Sequence, residues 1–238
     1  MSPLKRTLDI AFSLAAMPFL AVFTLLMTLV LAVGSPGPVF FRQERVGHKG
    51  KRFKCYKFRT MKVGADSSAH QAYLNQLIGS AAPMVKMDSL GDSRLIPGGW
   101  LLRASGLDEL PQLINVLRGE MSLIGPRPCL PYEYDRYLPW QQQRFNATPG
   151  LTGLWQVSGK NRTTFDEMIH LDIKYAETQS FWLDAKIIFM TIPAILRQIF
   201  DTEPPAGTAT QAPSIPLAAL SDPIPTDSPK GLYSRRAS

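Results

Sequence analysis

Ile10-Ala11-Phe12-Ser13-Leu14-Ala15-Ala16-Met17-Pro18-Phe19-Leu20-Ala21-Val22-Phe23, continued without an ionisable side chain as far as Val33, decides the architecture. About two dozen residues rising 1.5 Å each make roughly 36 Å of helix, enough to cross the apolar core of a bilayer. The run is too long for the apolar region of a signal peptide, and no small-x-small cleavage site ends it. Pro18 lies in its middle, where it removes one helix hydrogen bond and its ring collides with the carbonyl of Leu14, so a kink or break is expected there. A straight span with a tolerated proline is the alternative, since membrane helices often carry one. The flanks argue for the break. Lys5 and Arg6 precede the run, and Arg42, Arg45, Lys49, Lys51, Arg52, Lys54, Lys57, Arg59 and Lys62 follow it against Glu44 alone. Positive charge keeps both ends on the cytoplasmic side, which a re-entrant helix-break-helix satisfies and a span does not.

Outward from this segment, Ser35-Pro36-Gly37-Pro38 reads as a turn. Val39–Arg45 and Lys51–Thr60 then flank a Gly47–Gly50 loop as the two strands of a β-hairpin. Lys49, Lys51 and Arg52 suit a solvated edge or lipid headgroups. Lys57 and Arg59 share one face of an extended strand and are candidates for binding phosphate, with a structural or headgroup role as the alternative. Ala65–Ile78 suits a helix, Gly79–Gly99 a loop with a tight turn at Pro97-Gly98-Gly99, and Leu110–Leu117 a helix ended by Gly119. Phe181–Phe200 is amphipathic and interrupted by Pro193, which fits a helix in the membrane interface or a core helix. After Asp201 the composition turns to Pro, Ala, Ser and Thr, as in a disordered tail.

The 238 residues, 45% hydrophobic and 19% charged, exclude wholesale disorder. Lys and Arg outnumber Asp and Glu by 26 to 19, a formal +7 that suits an anionic partner: nucleic acid, acidic lipid or a phosphorylated substrate. No nucleic-acid motif accompanies the charge, and such a partner is not expected. Cys55 and Cys129 alone make neither a disulfide framework nor a zinc site, and His48, His70 and His170 lack metal-ligand spacing.

Asp108-Glu109-Leu110-Pro111 is the most informative polar stretch. Proline is tolerated only in the first turn of a helix, so a helix starts close to Asp108 and puts it at or next to the N-cap. An acidic pair there needs no chemistry of its own, because Asp caps well and Glu suits the first turn. Arg103 before it and Arg127 in the Gly125-Pro126-Arg127-Pro128 turn after it change the balance, since guanidinium groups at a helix start bind phosphate. Two carboxylates in a phosphate site repel the ligand unless a divalent cation bridges them or one attacks phosphorus, as in metal-assisted phosphoryl transfer.

At these residues the chain resembles the bacterial sugar transferases, the monotopic polyprenyl-phosphate phosphoglycosyl transferases. The likeness runs in order through Leu4-Lys5-Arg6-Thr7-Leu8-Asp9, the apolar segment with Pro18, Ser35–Val39, Tyr56–Met61, Leu107–Gln112, Ser122–Pro128 and Pro149–Val157, covering roughly residues 4 to 200. Gly106 stands where Ser or Thr is common in that family. The resemblance implies an α+β fold, with a re-entrant membrane helix, a β-hairpin and amphipathic interfacial helices around a small catalytic core on the cytoplasmic face of the bacterial inner membrane. It implies transfer of a sugar 1-phosphate from a UDP-sugar to undecaprenyl phosphate with release of UMP, as the initiating step of exopolysaccharide, capsule or O-antigen (lipopolysaccharide) synthesis. Asp108 matches the family's nucleophile, forming an aspartyl-phosphosugar intermediate, and Glu109 its dyad partner; both stand at the Mg2+. Arg103 and Arg127 match phosphate-holding residues, Arg59 and Lys57 join them as candidates, and Pro18 matches the helix-breaking proline. The organisation expected is 1–38 membrane segment and turn, 39–200 catalytic core, 201–238 tail: a minimal catalytic unit. Membrane lipid is an expected partner, and a homo-oligomer or contact with other glycan-assembly enzymes is compatible with it. A membrane-anchored, non-catalytic scaffold of polysaccharide assembly is the alternative, against which the intact Asp108-Glu109 pair counts.

Overall fold

A computed structural model describes residues 1–65, 77, 84, 94–159 and 163–201. The helix expected over 65–78, most of the loop after it, and the tail beyond 201 lie outside the described residues.

The apolar segment forms one helix, α1 (Pro3–Gly34), whose start Ser2 caps by accepting from the Lys5 amide at 3.3 Å. At 32 residues it is about 48 Å long, and by length and composition it could cross a membrane. No break interrupts the helix at Pro18, where a kink or break is expected from the sequence. The helix continues through the proline, because the loss of one hydrogen bond leaves the bonds on either side to carry the helix on. One stripe of α1 packs against the rest of the protein. Near its start Lys5 Nζ meets Asp184 at 2.6 Å, Arg6 donates to the carbonyls of Val116 and Leu117, and Asp9 Oδ1 accepts from the Leu123 amide at 3.2 Å. Further along, Leu20, Met27 and Leu31 are buried with Phe58 and Ile96. The opposite face, including Phe19, Val22, Leu25, Leu29 and Val33, is exposed.

The expected hairpin forms from β1 (Phe40–Val46) and β2 (Arg52–Phe58), antiparallel with Phe40 opposite Phe58 and Val46 opposite Arg52. The tight turn Pro97-Gly98-Gly99 leads into α2 (Gly99–Ser105), a 3-10 turn covers Leu107–Glu109, and α3 (Gln112–Leu117) follows. Two three-residue strands, β3 (Ser122–Ile124) and β4 (Gly150–Thr152), pair in parallel. Between them lie α4 (Pro131–Tyr134) and a 3-10 stretch at Gln141–Asn146. After them come α5 (Leu154–Val157), α6 (Phe165–Thr178) and α7 (Phe181–Asp201). Thr164 and Glu167 close a capping box at the start of α6, each side chain accepting from the other's amide, at 3.2 and 2.8 Å. Helices and strands are thus mixed, as expected, and α7 runs through Pro193 unbroken.

The main core gathers Val46, Tyr137, Phe145, Trp155, Phe165 and Ile169. At its edge Arg144 and Asp172 form an ion pair less than 3% exposed, and Arg144 also donates to Tyr137 Oη at 2.7 Å.

Candidate active site

Two devices place the side chains of the site. On one side Asn115 of α3, fully buried, closes the free edge of β2: its Nδ2 donates to the Lys54 carbonyl at 2.8 Å and its Oδ1 accepts from the Tyr56 amide at 3.1 Å. An unpaired strand edge is thereby satisfied, and α3 with the turn before it is fixed to the hairpin. As a result Lys57 Nζ lies 2.5 Å from Glu109 Oε1. On the other side, β3 and β4 approach so closely that only glycine fits. A Cβ on Gly150 would stand 2.0 Å from the Gly125 nitrogen, and one on Gly125 would stand 2.1 Å from the Thr148 carbonyl oxygen. The Gly125–Pro128 turn that leaves this crossing is gripped through its backbone. Arg45 Nη1 donates to the Pro128 carbonyl at 3.1 Å, and Arg144 Nη2 to the Arg127 carbonyl at 2.9 Å. The Arg127 side chain is left exposed on a rigid base.

The acidic pair sits differently from the N-cap expected of it. Gly106, at φ 72°, ends α2 in the left-handed conformation and starts the 3-10 turn that holds Asp108 and Glu109. Gly106 is the N-cap of that turn and Pro111 the N-cap of α3, so Asp108 holds neither cap position. The left-handed angle favours glycine at position 106. Gln198 of α7 donates to the carbonyls of Arg103 and Ala104, at 3.0 and 2.9 Å, which ties the end of α2 in place.

A cavity of about 850 Å³ opens between these parts. Lys57, Arg103, Asp108, Glu109 and Arg127 all line it, though their positions span 70 residues of sequence. Asp108 is buried, at 6% exposure, while Glu109 and Lys57 are half-buried. Arg59 does not line the cavity. It lies past the end of β2, buried, and donates to the Pro38 carbonyl at 2.8 Å and to Ser35, so it braces the turn after α1. The shared face expected for Lys57 and Arg59 ends with the strand, and the structural alternative describes Arg59.

Several lining residues were not singled out as site residues from the sequence: Arg45, Gln112, Thr152, Gln156 and Gln198. Arg45 is buried, and desolvation together with the neighbouring Arg127 charge lowers its pKa below the usual arginine value. Cys55 also lines the cavity, its thiol pushed up by burial.

Among the described residues no group of three or more His, Cys, Asp or Glu side chains is arranged to enclose a metal ion. Asp108 and Glu109 are two adjacent carboxylates beside three cationic side chains. That donor set fits Mg2+, which characteristically takes one or two carboxylates and completes its shell with phosphate oxygens and water.

The family model described as "Bacterial sugar transferase" matches residues 1–198. The chain belongs to the bacterial sugar transferase family. It is 37% identical over 195 residues to undecaprenyl-phosphate galactose phosphotransferase of Salmonella typhimurium, covering 82% of this chain and 41% of that protein. UDP-glucose:undecaprenyl-phosphate glucose-1-phosphate transferase of Caulobacter vibrioides is 40% identical over 200 residues, 81% of this chain and 69% of the relative. Exopolysaccharide production protein ExoY of Rhizobium meliloti is 38% identical over 192 residues, 80% of this chain and 84% of the relative. The chain therefore spans about two-fifths of the Salmonella protein and most of the Rhizobium one.

Proposed function

We propose that this sugar transferase moves a sugar 1-phosphate from a UDP-sugar to undecaprenyl phosphate and releases UMP, with Asp108 as nucleophile. The observation that carries the proposal is the convergence of Asp108, Glu109, Lys57, Arg103 and Arg127 on one cavity. The named activities of the Salmonella and Caulobacter relatives support the same reaction class. An Asp108 carboxylate oxygen attacks the sugar-bearing β-phosphorus. The bond from that phosphorus to the oxygen bridging it to the α-phosphorus breaks, and its electron pair leaves with UMP. The acyl phosphate on Asp108 is then attacked by an oxygen of the lipid phosphate, which forms the lipid diphosphate sugar and returns the carboxylate. Arg103 and Arg127 hold the phosphates in both steps, and Lys57 keeps Glu109 in place. A Mg2+ held by Asp108 and Glu109 would neutralise phosphate charge and polarise phosphorus.

The membrane seat belongs to the same proposal. Both ends of α1 are tied to the same body, Lys5 to Asp184 at one end and Ser35 to Arg59 at the other. That supports a helix whose two ends stay on the cytoplasmic side of the inner membrane. The exposed apolar face of α7, with Trp182, Phe189 and Phe200, supports an interfacial seat. The glycan begun by this transfer would be an exopolysaccharide, capsule or O-antigen.

The test is UMP release by purified protein in nanodiscs, with Mg2+, undecaprenyl phosphate and a panel of UDP-sugars. Turnover with at least one UDP-hexose, lost in Asp108→Asn, is expected. Near wild-type release by that variant would remove Asp108 from the chemistry.

A further inference from the structure

Asp9 and Ser13 lie one helical turn apart on the buried stripe of α1, at 3% and 0% exposure. Asp9 Oδ1 accepts from the Leu123 amide of β3 at 3.2 Å. Its other oxygen, Oδ2, is sealed from solvent and has no hydrogen-bond partner among the described residues, and the same is true of Ser13 Oγ. Buried polar atoms are almost always bonded, and two of them at i and i+4 on one face call for a common partner. Neither residue lines the cavity around Asp108 and Glu109, so that cavity does not account for them.

The charge around this pair does not balance. Lys5, one turn before Asp9, is committed to Asp184 at 2.6 Å, and Arg6 spends its donors on the Val116 and Leu117 carbonyls. Tyr175 Oη stands 2.7 Å from Asp184 Oδ1 and 3.1 Å from the Ile124 carbonyl. Burial, its bond to Asp184 and the charges of Asp184 and Asp9 all push that hydroxyl up, so it stays neutral. Lys5, Asp9 and Asp184 therefore carry one positive charge against two negative ones, and Asp9 forms no ion pair with a described residue. A carboxylate buried without a counter-charge is costly.

We propose that Asp9 Oδ2 and Ser13 Oγ are ligands of a monovalent alkali cation, Na+ or K+, bound between α1 and β3. The donors choose the ion. A hydroxyl and a carboxylate are hard oxygen ligands, without the nitrogen or sulfur that zinc takes. One carboxylate, remote from any phosphate, is short of what Mg2+ or Ca2+ requires, and a single positive charge is what Lys5, Asp9 and Asp184 lack. The ion fastens the membrane helix to β3, which leads through Ile124 into the Gly125–Pro128 turn that carries Arg127.

The test is thermal unfolding of the purified protein in one detergent, with NaCl, KCl and choline chloride exchanged at constant ionic strength and constant Mg2+. It reads stability and so stands apart from the proposed reaction. Wild type is expected to gain about 4 to 8 °C in Tm in the preferred alkali salt over choline chloride, with a dependence on that ion that saturates. Asp9→Asn should lose the gain, and Ser13→Ala should raise the ion concentration needed for half of it about tenfold, through the loss of one ligand. Equal wild-type Tm values in the three salts overturn the proposal and leave the two oxygens to water or a proton. A gain that never saturates, or one that persists in Asp9→Asn, overturns it as an ordinary salt effect. Should Asp9→Asn fail to fold, the wild-type titration and Ser13→Ala decide the matter, an unshifted midpoint in Ser13→Ala counting against the site.

Discussion

Asp172→Asn removes one charge from the ion pair beneath the Arg127 turn and changes almost no volume. Both partners are buried, at 2% and 1% side-chain exposure, so water cannot replace the lost carboxylate. Arg144 keeps its contacts to Tyr137 Oη and the Arg127 carbonyl, yet its charge stays in the core without a counterion. Breaking a buried pair in this way costs about 3 to 5 kcal/mol, set against a typical total of about 5 to 15. For a chain of this size that corresponds to a fall in Tm of about 6 to 20 °C. The double variant Asp172→Leu with Arg144→Met removes both charges and should regain much of the loss. A residue of about 1 to 3 kcal/mol remains, because the Arg127 carbonyl and Tyr137 Oη lose a donor. The assay is thermal unfolding by near-ultraviolet circular dichroism in one detergent at one scan rate, with UMP release measured alongside. Activity should stay low in the double variant even where stability returns, because the Arg127 turn has lost its brace. A single variant within about 1 kcal/mol of wild type, or a double variant as unstable as the two singles added together, would refute the uncompensated-charge reasoning.

Three further outcomes follow from the structure. Gly150→Ala puts a Cβ 2.0 Å from the Gly125 nitrogen, so β3 and β4 must separate; a loss of about 1 to 3 kcal/mol in chemical denaturation and a disproportionate fall in turnover are expected. Burial pushes the Cys129 thiol up from 9.0 to about 12, so its thiolate fraction at pH 8 falls about a thousandfold; iodoacetamide should label neither cysteine in the folded protein and both after denaturation, and labelling should rise as pH climbs toward 12. Cysteines placed at Ser2 and Ser35 should both react with a membrane-impermeant maleimide from the cytoplasmic side only; labelling from opposite sides would establish a span.

Local pattern made much of this fold legible. The apolar run, the hairpin, and the helix limited by Pro111 and Gly119 each depend on neighbours within a few residues, and each is present. The acidic pair and the arginines at 103 and 127 were legible as a group, since carboxylates beside guanidinium groups are costly without a purpose, and all four line one cavity. What escaped was set by distant contacts or by one backbone angle. Proline's local cost suggested a kink or break at Pro18, but one helix continues through it, with Leu20, Met27 and Leu31 packed against Phe58 and Ile96. Asp108 read as lying at or next to an N-cap because the left-handed angle at Gly106 is invisible in residue type alone. Arg59 looked like Lys57 two residues away, and only the fold shows the strand ending between them, with one side chain turned to Ser35 and the other to Glu109. The braces from Arg45 to Pro128 and from Arg144 to Arg127 join different elements and leave no periodic trace.

The role of Asp108 as nucleophile is tested most directly by intact-protein mass spectrometry after incubation with Mg2+ and a UDP-hexose in the absence of any lipid acceptor. The prediction is a hexose-phosphate adduct mapped to the peptide carrying Asp108, formed with one UMP per adduct and discharged when undecaprenyl phosphate is added. UMP release that requires undecaprenyl phosphate and leaves no adduct, or an adduct on a peptide other than that of Asp108, would contradict it.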